Sequence, residues 1–239
     1  MNTGRFFKIF GLVAALTFLI LALGSNGQAG LADGDQLACT ASHSRDNSTH
    51  SAIHTTATGL VTRVERPTVW IVCPTGCQFS RIQAAIDFAK PGDFLLVGPG
   101  TYQENLTINK SLTVQGVRPA LTMITGTEKG APLIRLESDE EIQVAIENLA
   151  LRSNKQCSGI EIFGDKMTVS LAKVEISDNR LTGPSVSGLA RVRILNTSIR
   201  GNRQWGIFAR LSNIEECRGN TVVDNGTNFS SPELEKQCS

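Results

Sequence analysis

Aromatic residues make up only 5% of this 239-residue chain, so Ile, Leu and Val must build its core, which suits stacked β-structure and argues against a helical bundle. Net charge is also nearly absent. Lys and Arg number 23 against 22 Asp and Glu, a formal +1, so no global field favours nucleic acid or an anionic membrane, and any charge argument has to be local. Histidine is confined to His43, His50 and His54. The His50/His54 spacing would suit a metal on a helix, but the surrounding Ser, Thr, Asp and Asn read as a solvated segment. Cys73 and Cys77 could form half of a zinc site, yet no matching second half follows them. No metal or cofactor is expected.

Hydrophobic residues are 41% of the chain, with 22 Gly, the composition of a globular protein. The N-terminus reads as an export signal over 1–32. Arg5 and Lys8 precede the uncharged run Ile9 to Leu23, and Gly27-Gln28-Ala29 or Gly30-Leu31-Ala32 offers small residues for cleavage. The run is short of the roughly 20 residues of a spanning helix, and an uncleaved anchor is the alternative, the only membrane contact expected. Leu37-Ala38-Cys39 has a lipoprotein-like cast but lies far behind the run and follows Gln36. The expected destination is secreted, periplasmic or cell-surface. Six cysteines permit three disulfides in such a compartment. The favoured pairs are Cys73 with Cys77 and Cys217 with Cys238. Asn-x-Ser/Thr sequons stand at Asn47, Asn105, Asn109, Asn196, Asn225 and Asn228.

Residues 33–67 read as a flexible linker and 68–239 as the folded domain. Val69 to Val72 is a short β-type run. Phe79, Ile82, Ala85, Ile86 and Ala89 then recur at helical spacing until Lys90-Pro91-Gly92 stops them. Strands are expected at Phe94 to Val97, Leu106 to Ile108 and Leu112 to Val114, and no later helix. Beyond residue 144 a repeat appears: Asn148-Leu-Ala-Leu-Arg-Ser-Asn154, Lys173-Val-Glu-Ile-Ser-Asp-Asn179, Asn196-Thr-Ser-Ile-Arg-Gly-Asn202 and a degenerate Asn220-Thr-Val-Val-Asp-Asn225. Taking Leu151, Ile176, Ile199 and Val223 as centres gives spacings of 25, 23 and 24. A second element recurs at Gly159-Ile160 and Gly206-Ile207, with a weaker relative at Gly188-Leu189. One such unit cannot bury its inward face alone, so units stack, each strand pairing in parallel with its counterpart one coil away. Alternation puts Leu149/Leu151, Val174/Ile176 and Thr197/Ile199 inside, and Ala150/Arg152, Glu175/Ser177, Ser198/Arg200 and Val222/Asp224 outside. Asn154, Asn179 and Asn202 close each strand as a structural ladder, a position where Asn tolerates left-handed backbone.

The stretch Phe79-Ser-Arg-Ile-Gln-Ala-Ala-Ile-Asp-Phe-Ala-Lys-Pro-Gly-Asp93, with Val97-Gly-Pro-Gly-Thr-Tyr-Gln-Glu-Asn105 and Ser111-Leu-Thr-Val-Gln-Gly116, resembles the opening of the pectin-lyase-like superfamily. It is most similar to pectin methylesterases and periplasmic β-helix repeat proteins. The resemblance implies an all-β fold, a right-handed parallel β-helix whose open end is capped by an N-terminal α-helix. It assigns Tyr102 and Glu104 to the opening pattern, as structural residues. The catalytic sets of that superfamily are missing. The chain lacks the Gln-Asp-Thr and Asp-Phe-Ile-Phe-Gly segments of pectin methylesterases, with only Ile162-Phe163-Gly164 after Glu161. It lacks the adjacent Asp pair and His-Gly of polygalacturonases, and Glu175 and Asp178 are too few for a calcium cluster.

What remains is local charge. Between Arg180 and Arg210 stand Arg180, Arg191, Arg193, Arg200, Arg203 and Arg210, with no Asp or Glu. An outward guanidinium array would bind carboxylate, sulfate or phosphate in two-point fashion, and Trp205 could add a stacking face. The plainer reading is a soluble β surface with partly alternating signs. Asp139-Glu140-Glu141 reads as an exposed turn. Two functions stay open. One is a non-catalytic surface for an acidic polysaccharide or a cell-envelope partner, contacted by Arg180, Arg200, Arg203 and Trp205. The other is a polysaccharide lyase, with Lys173 or Arg200 abstracting a proton beside a uronate carboxylate held by Arg180 or Arg203, which requires the four to converge in one cleft.

Overall fold

A computed structural model describes residues 66–127 and 130–238. The expected signal, the three histidines, Cys39 and Asn47 lie outside the described residues. Three to six residues form each strand, and the chain visits three sheets in turn, coil after coil, about seven times. The first sheet contains β1 (Val69–Val72), β2 (Phe94–Val97), β5 (Leu112–Gly116), β8 (Ile142–Glu147), β11 (Met167–Ala172), β14 (Arg191–Leu195) and β17 (Ile214–Arg218). The second contains β3 (Gly100–Gln103), β6 (Thr122–Thr125), β9 (Ala150–Arg152), β12 (Glu175–Ser177), β15 (Ser198–Arg200) and β18 (Thr221–Val223). The third contains β4 (Leu106–Ile108), β7 (Ile134–Glu137), β10 (Ile160–Phe163) and β13 (Pro184–Ser187), continued by the pair β16 (Trp205–Ile207) and β19 (Thr227–Phe229). The strand pairs are parallel, as stacked coils require. This is the expected all-β parallel β-helix.

Alternation decides which side chains enter the core. In the first sheet Val114, Ile146, Leu171, Ile194 and Cys217 are aligned through successive coils, all under 7% exposed. Burying one such aliphatic side chain is worth about 1.5–3 kcal/mol, and each layer is covered only by its neighbours. Helix α1 (Ile82–Phe88) stands between β1 and β2, where that coil would otherwise have strands of the second and third sheets. It buries Ile82, Ala85 and Ile86. Its first turn is held from a distance: Glu104 Oε1 and Oε2 accept from the backbone N–H of Ile82 at 2.8 Å and of Gln83 at 3.0 Å. Tyr102 donates its hydroxyl to Gly98 O at 3.0 Å, and burial, with Glu104 nearby, pushes its pKa up to about 12. Both residues are structural.

The Asn ladder is present and gains a rung. Asn179 Oδ1 accepts from Asn154 N at 3.0 Å, Asn202 Oδ1 from Asn179 N at 3.2 Å, and Asn225 Oδ1 from Asn202 N at 3.0 Å. The left-handed backbone expected at the rungs falls one residue earlier, on Ser153 (φ 59°), Asp178 (59°), Gly201 (66°) and Asp224 (56°). The reason is that the chain turns before the rung, so the rung's side chain can point inward. A second left-handed column, Asn148, Lys173, Asn196 and Gly219, turns each coil from the first sheet into the second.

The rungs also correct the register of the last repeat. Three residues before each rung stand Leu151, Ile176, Ile199 and Val222, and Ile199 pairs with Val222. Val222, expected outside, is therefore half-buried against the core, while Val223 is 39% exposed. Similarly, the counterpart of Gly159 and Gly206 is Gly183 rather than Gly188. A Cβ on Gly183 would lie 2.5 Å from Gly206 O, so the backbone approach admits only glycine there. Ala150 and Ser177, expected outside, are fully buried. Both are short side chains, Ala150 standing opposite Glu175 and Ser177 opposite Arg152 in the strand register.

Both expected disulfides are present, Cys73–Cys77 and Cys217–Cys238. The second ties down a helix that was not expected, α2 (Pro232–Cys238). Its start is nevertheless written in the sequence: Ser231 Oγ accepts from Leu234 N at 3.2 Å, with Pro232 at the first helical position. No helix among the described residues is long and apolar enough to cross a membrane.

Asn202 is 1% exposed, and its side chain accepts from Asn179 N and Nδ2 and donates to Ile176 O and Asn225 Oδ1. Replacing it with Ala leaves several buried partners unpaired at about 1–3 kcal/mol each. Asn202→Ala should lower stability by about 2–5 kcal/mol in urea unfolding, while Asn109→Ala in an exposed turn changes it by less than about 0.5 kcal/mol. Equal midpoints for the two variants would show that the ladder does not hold the coils.

Candidate functional site

The residue after each rung faces outward at the bend between the second and third sheets. Those residues are Lys155, Arg180, Arg203 and Gly226. Their stacking is fixed by the backbone: Arg180 N donates to Asn154 O at 2.8 Å, Arg203 N to Asn179 O at 3.0 Å, and Gly226 N to Asn202 O at 2.9 Å. Lys155, Arg180 and Arg203 thus stand on consecutive coils, about 4.8 Å apart at the backbone. Lys155 and Arg203 are exposed and Arg180 half-buried. None of the three forms an ion pair among the described residues, although the exposed Asp178 lies two residues before Arg180. Trp205, two residues after Arg203, begins strand β16 beyond that bend and is half-buried, its ring 5.9 Å from that of Phe208.

The rest of the arginine stretch is dispersed, because 31 residues wrap around more than one full coil. Arg200 lies on the outer face of β15 and donates to Glu175 Oε1 at 2.8 Å. Glu175 Oε2 accepts from Arg152 on the other side. Arg191 and Arg193, on the outer face of β14, flank Glu215 at 3.4 and 2.9 Å. The carboxylates missing from the local sequence arrive from neighbouring coils. Lys173 is exposed in the left-handed bend before β12, whereas Arg180 lies in the bend after it. The structure therefore brings Arg180 and Arg203 to one bend, places Trp205 at the start of the strand that follows it, keeps Arg200 paired on the adjacent face, and sets Lys173 apart. Lys155 was missed in the sequence, though its signal is plain: a cation follows the rung in three consecutive repeats.

Burial pushes the Glu175 carboxyl up, but hydrogen bonds from Arg152 and Arg200 and their charges outweigh it, leaving the pKa below its ordinary 4.5. Glu147 is the reverse case: burial raises it and Lys173 only partly opposes. Among the described residues no group of His, Cys, Asp and Glu is placed to hold a metal. Asp139, Glu140 and Glu141 are exposed between β7 and β8.

No protein-family model matches the chain. Among curated proteins it is similar to a "Cell surface glycoprotein" of Methanothermus fervidus, 30% identical over 119 residues, which is 48% of this chain and 17% of that protein. The chain thus spans about a sixth of the length of that relative. Among solved structures it is similar to the pectate lyase Pel9A, with TM-score 0.56, 16% identity, and coverage of 70% of this chain and 50% of that one. A pectin methylesterase in complex with a hexasaccharide aligns at TM-score 0.46 and 14% identity, covering 71% of this chain and 68% of its own. The fold is an all-β parallel β-helix, like that of the pectate lyase.

A carboxylate whose folded pKa is depressed contributes stability that is present above its unfolded pKa and lost as pH falls through the folded value. Glu175→Gln should therefore be less stable than the parent at pH 7, and the gap should close as the pH falls below about 4.5, the unfolded value. Thermal melts of both proteins from pH 7 to pH 3 test this; a gap independent of pH would show that the Arg152–Glu175–Arg200 arrangement adds nothing through charge.

Proposed function

We propose that this chain is a surface-displayed β-helix that binds acidic polysaccharide along the bend carrying Lys155, Arg180 and Arg203, without cleaving it. The observation that carries the reading is the stack of three cations, one per coil, that form no ion pair among the described residues. A polymer with an anionic group on each residue can run parallel to the solenoid axis and meet one cation after another. Guanidinium binds carboxylate in two-point fashion, and the half-buried Trp205, two residues beyond Arg203, can offer a face to a sugar. The two disulfides and the likeness to a cell-surface glycoprotein fit an extracellular or surface location. Export through the N-terminal segment belongs to the same reading.

The likeness to a pectate lyase favours a second reading, in which the same flank holds a uronate for cleavage. Arg200 is engaged by Glu175, and Lys173 lies on the other bend, so neither is poised as a base against a chain held by Arg180 and Arg203.

Binding to polygalacturonate and to neutral dextran, measured by retention and calorimetry, tests the proposal. Polygalacturonate should be retained and dextran not, and retention should weaken from 50 to 500 mM salt, roughly the range over which screening collapses surface electrostatics. The double variant Arg180→Ala/Arg203→Ala should lose about tenfold or more in affinity, which corresponds to about 1.4 kcal/mol. Arg191→Ala, on another face, should lose little. Unchanged affinity in the double variant would overturn the site, and unsaturated product absorbing in the ultraviolet would replace binding by lyase activity.

A further inference from the structure

Five of the six sequons lie among the described residues, and the fold divides them sharply. At Asn105 both carboxamide hydrogens are engaged, by Ala131 O at 2.9 Å and Pro132 O at 2.7 Å, and Oδ1 accepts from Thr127 N at 3.0 Å and from the Thr127 hydroxyl. Asn225 is a ladder rung. Its Nδ2 donates to Ile199 O, Val223 O and Asn228 Oδ1, and its Oδ1 accepts from Asn202. Asn228 is half-buried, its Oδ1 accepting from Asn225 N and Nδ2.

Asn109 and Asn196 differ in every respect. Both are exposed, Asn109 in the turn from β4 to β5 and Asn196 in the left-handed bend from β14 to β15, at φ 51°. Neither carboxamide nitrogen has a hydrogen-bond acceptor among the described residues. Above Asn196 the next coil places Gly219, where a Cβ would fall 2.4 Å from Asn196 Oδ1, so that glycine leaves the carboxamide its space.

We infer that Asn109 and Asn196 are the positions at which the folded protein accepts an N-linked oligosaccharide, and that Asn105 and Asn225 are closed to it. In the reaction the carboxamide nitrogen bonds to C1 of the first sugar of a lipid-pyrophosphate-linked oligosaccharide. The C1–O bond to phosphate breaks, the lipid pyrophosphate leaves with the electron pair, and the nitrogen gives up one proton. That nitrogen must be free to approach a donor, and at Asn105 and Asn225, both half-buried, its engagement by two or more acceptors forbids it. Asn109 lies on the bend between the third and first sheets and Asn196 on that between the first and second. A glycan on either leaves the third bend, with Lys155, Arg180 and Arg203, uncovered. The inference stands on the carboxamide geometry and does not depend on the polysaccharide proposal.

The test uses the purified, unglycosylated protein, incubated with a single-subunit oligosaccharyltransferase that accepts Asn-x-Ser/Thr and a lipid-pyrophosphate-linked oligosaccharide. A reduced, urea-unfolded sample diluted into the same reaction runs in parallel, and occupancy is read by peptide mass spectrometry. The folded protein should be modified at Asn109 and Asn196, with occupancy at Asn105 and Asn225 at least tenfold lower than in the unfolded sample. Modification of folded protein at Asn105 or Asn225 to the unfolded level would overturn the inference. So would a folded protein bare at Asn109 and Asn196 whose unfolded counterpart is modified there. Asn109→Gln and Asn196→Gln should each remove one glycan while thermal unfolding stays cooperative, with a small loss of melting temperature only for Asn196→Gln, whose left-handed backbone favours Asn, which separates loss of a site from loss of the fold.

Discussion

A buried amide that answers its neighbour's backbone is the constraint on which this solenoid depends. Strands of three to six residues leave much of each coil in bends, and the polar groups of a bend tucked under the next coil have no sheet partner. Left unpaired they would cost about 1–3 kcal/mol each. Asn179, Asn202 and Asn225 resolve this by accepting from the preceding coil and donating to a neighbouring one, and Asn154 by donating to Ala131 O of the preceding coil while accepting from Gln156 N and Cys157 N of its own, which only a carboxamide with both functions can do. The rung then dictates its surroundings. Three residues before it the side chain enters the core, one before it the backbone turns left-handed, and one after it the side chain faces solvent. The close-packed column Gly159, Gly183, Gly206 belongs to the same bend: a Cβ on Gly159 would lie 3.0 Å from Asn179 Nδ2.

The same geometry rewrites the electrostatics. In a coil of 23–25 residues the nearest neighbours of a side chain are a full repeat away, so charge counted along the chain misleads. The acid-free stretch from Arg180 to Arg210 looks like one cationic strip, yet Arg191, Arg193 and Arg200 meet Glu215 and Glu175 across coils. Lys155, Arg180 and Arg203 do the opposite and stack like on like. Unit charges at such spacing repel by about 1 kcal/mol in water, a cost tolerable on an exposed bend and relieved by a polyanion lying along it.

Much of this architecture was legible in the sequence because repeats expose their own register. The parallel coil, the opening helix, both disulfides and the Asn ladder followed from pattern, and the structural roles of Tyr102 and Glu104 from the resemblance. What escaped did so for identifiable reasons. The last repeat was aligned on its apolar centre, and Val222-Val223 offers two candidates; aligning on Asn225 resolves it, because the rung is the more constrained residue. Gly183 was passed over because Pro184 follows it in place of Ile. Lys155 lies outside the acid-free stretch and joins Arg180 and Arg203 only through its fixed offset from the rung. Helix α2 was missed because seven residues hold too little periodicity, although Ser231-Pro232 marked its start.

The two ends explain why the coil stops and what that leaves available. A parallel sheet with bare edges would add coils from any chain of similar pattern. At the first edge α1 supplies Ile82, Ala85 and Ile86 in place of a preceding layer, and Glu104 satisfies the helix start from within the next coil. At the other edge Cys217 occupies the inward position of the column Val114, Ile146, Leu171, Ile194. Its bond to Cys238 continues that column into α2, whose Leu234 is fully buried and whose Gln237 donates to Ile214 O at 3.2 Å. The disulfide thus takes the place of the eighth layer's side chain. Among the described residues a helix stands at either end of the stack, and it is on the flanks that the ladder sets out its row of cations.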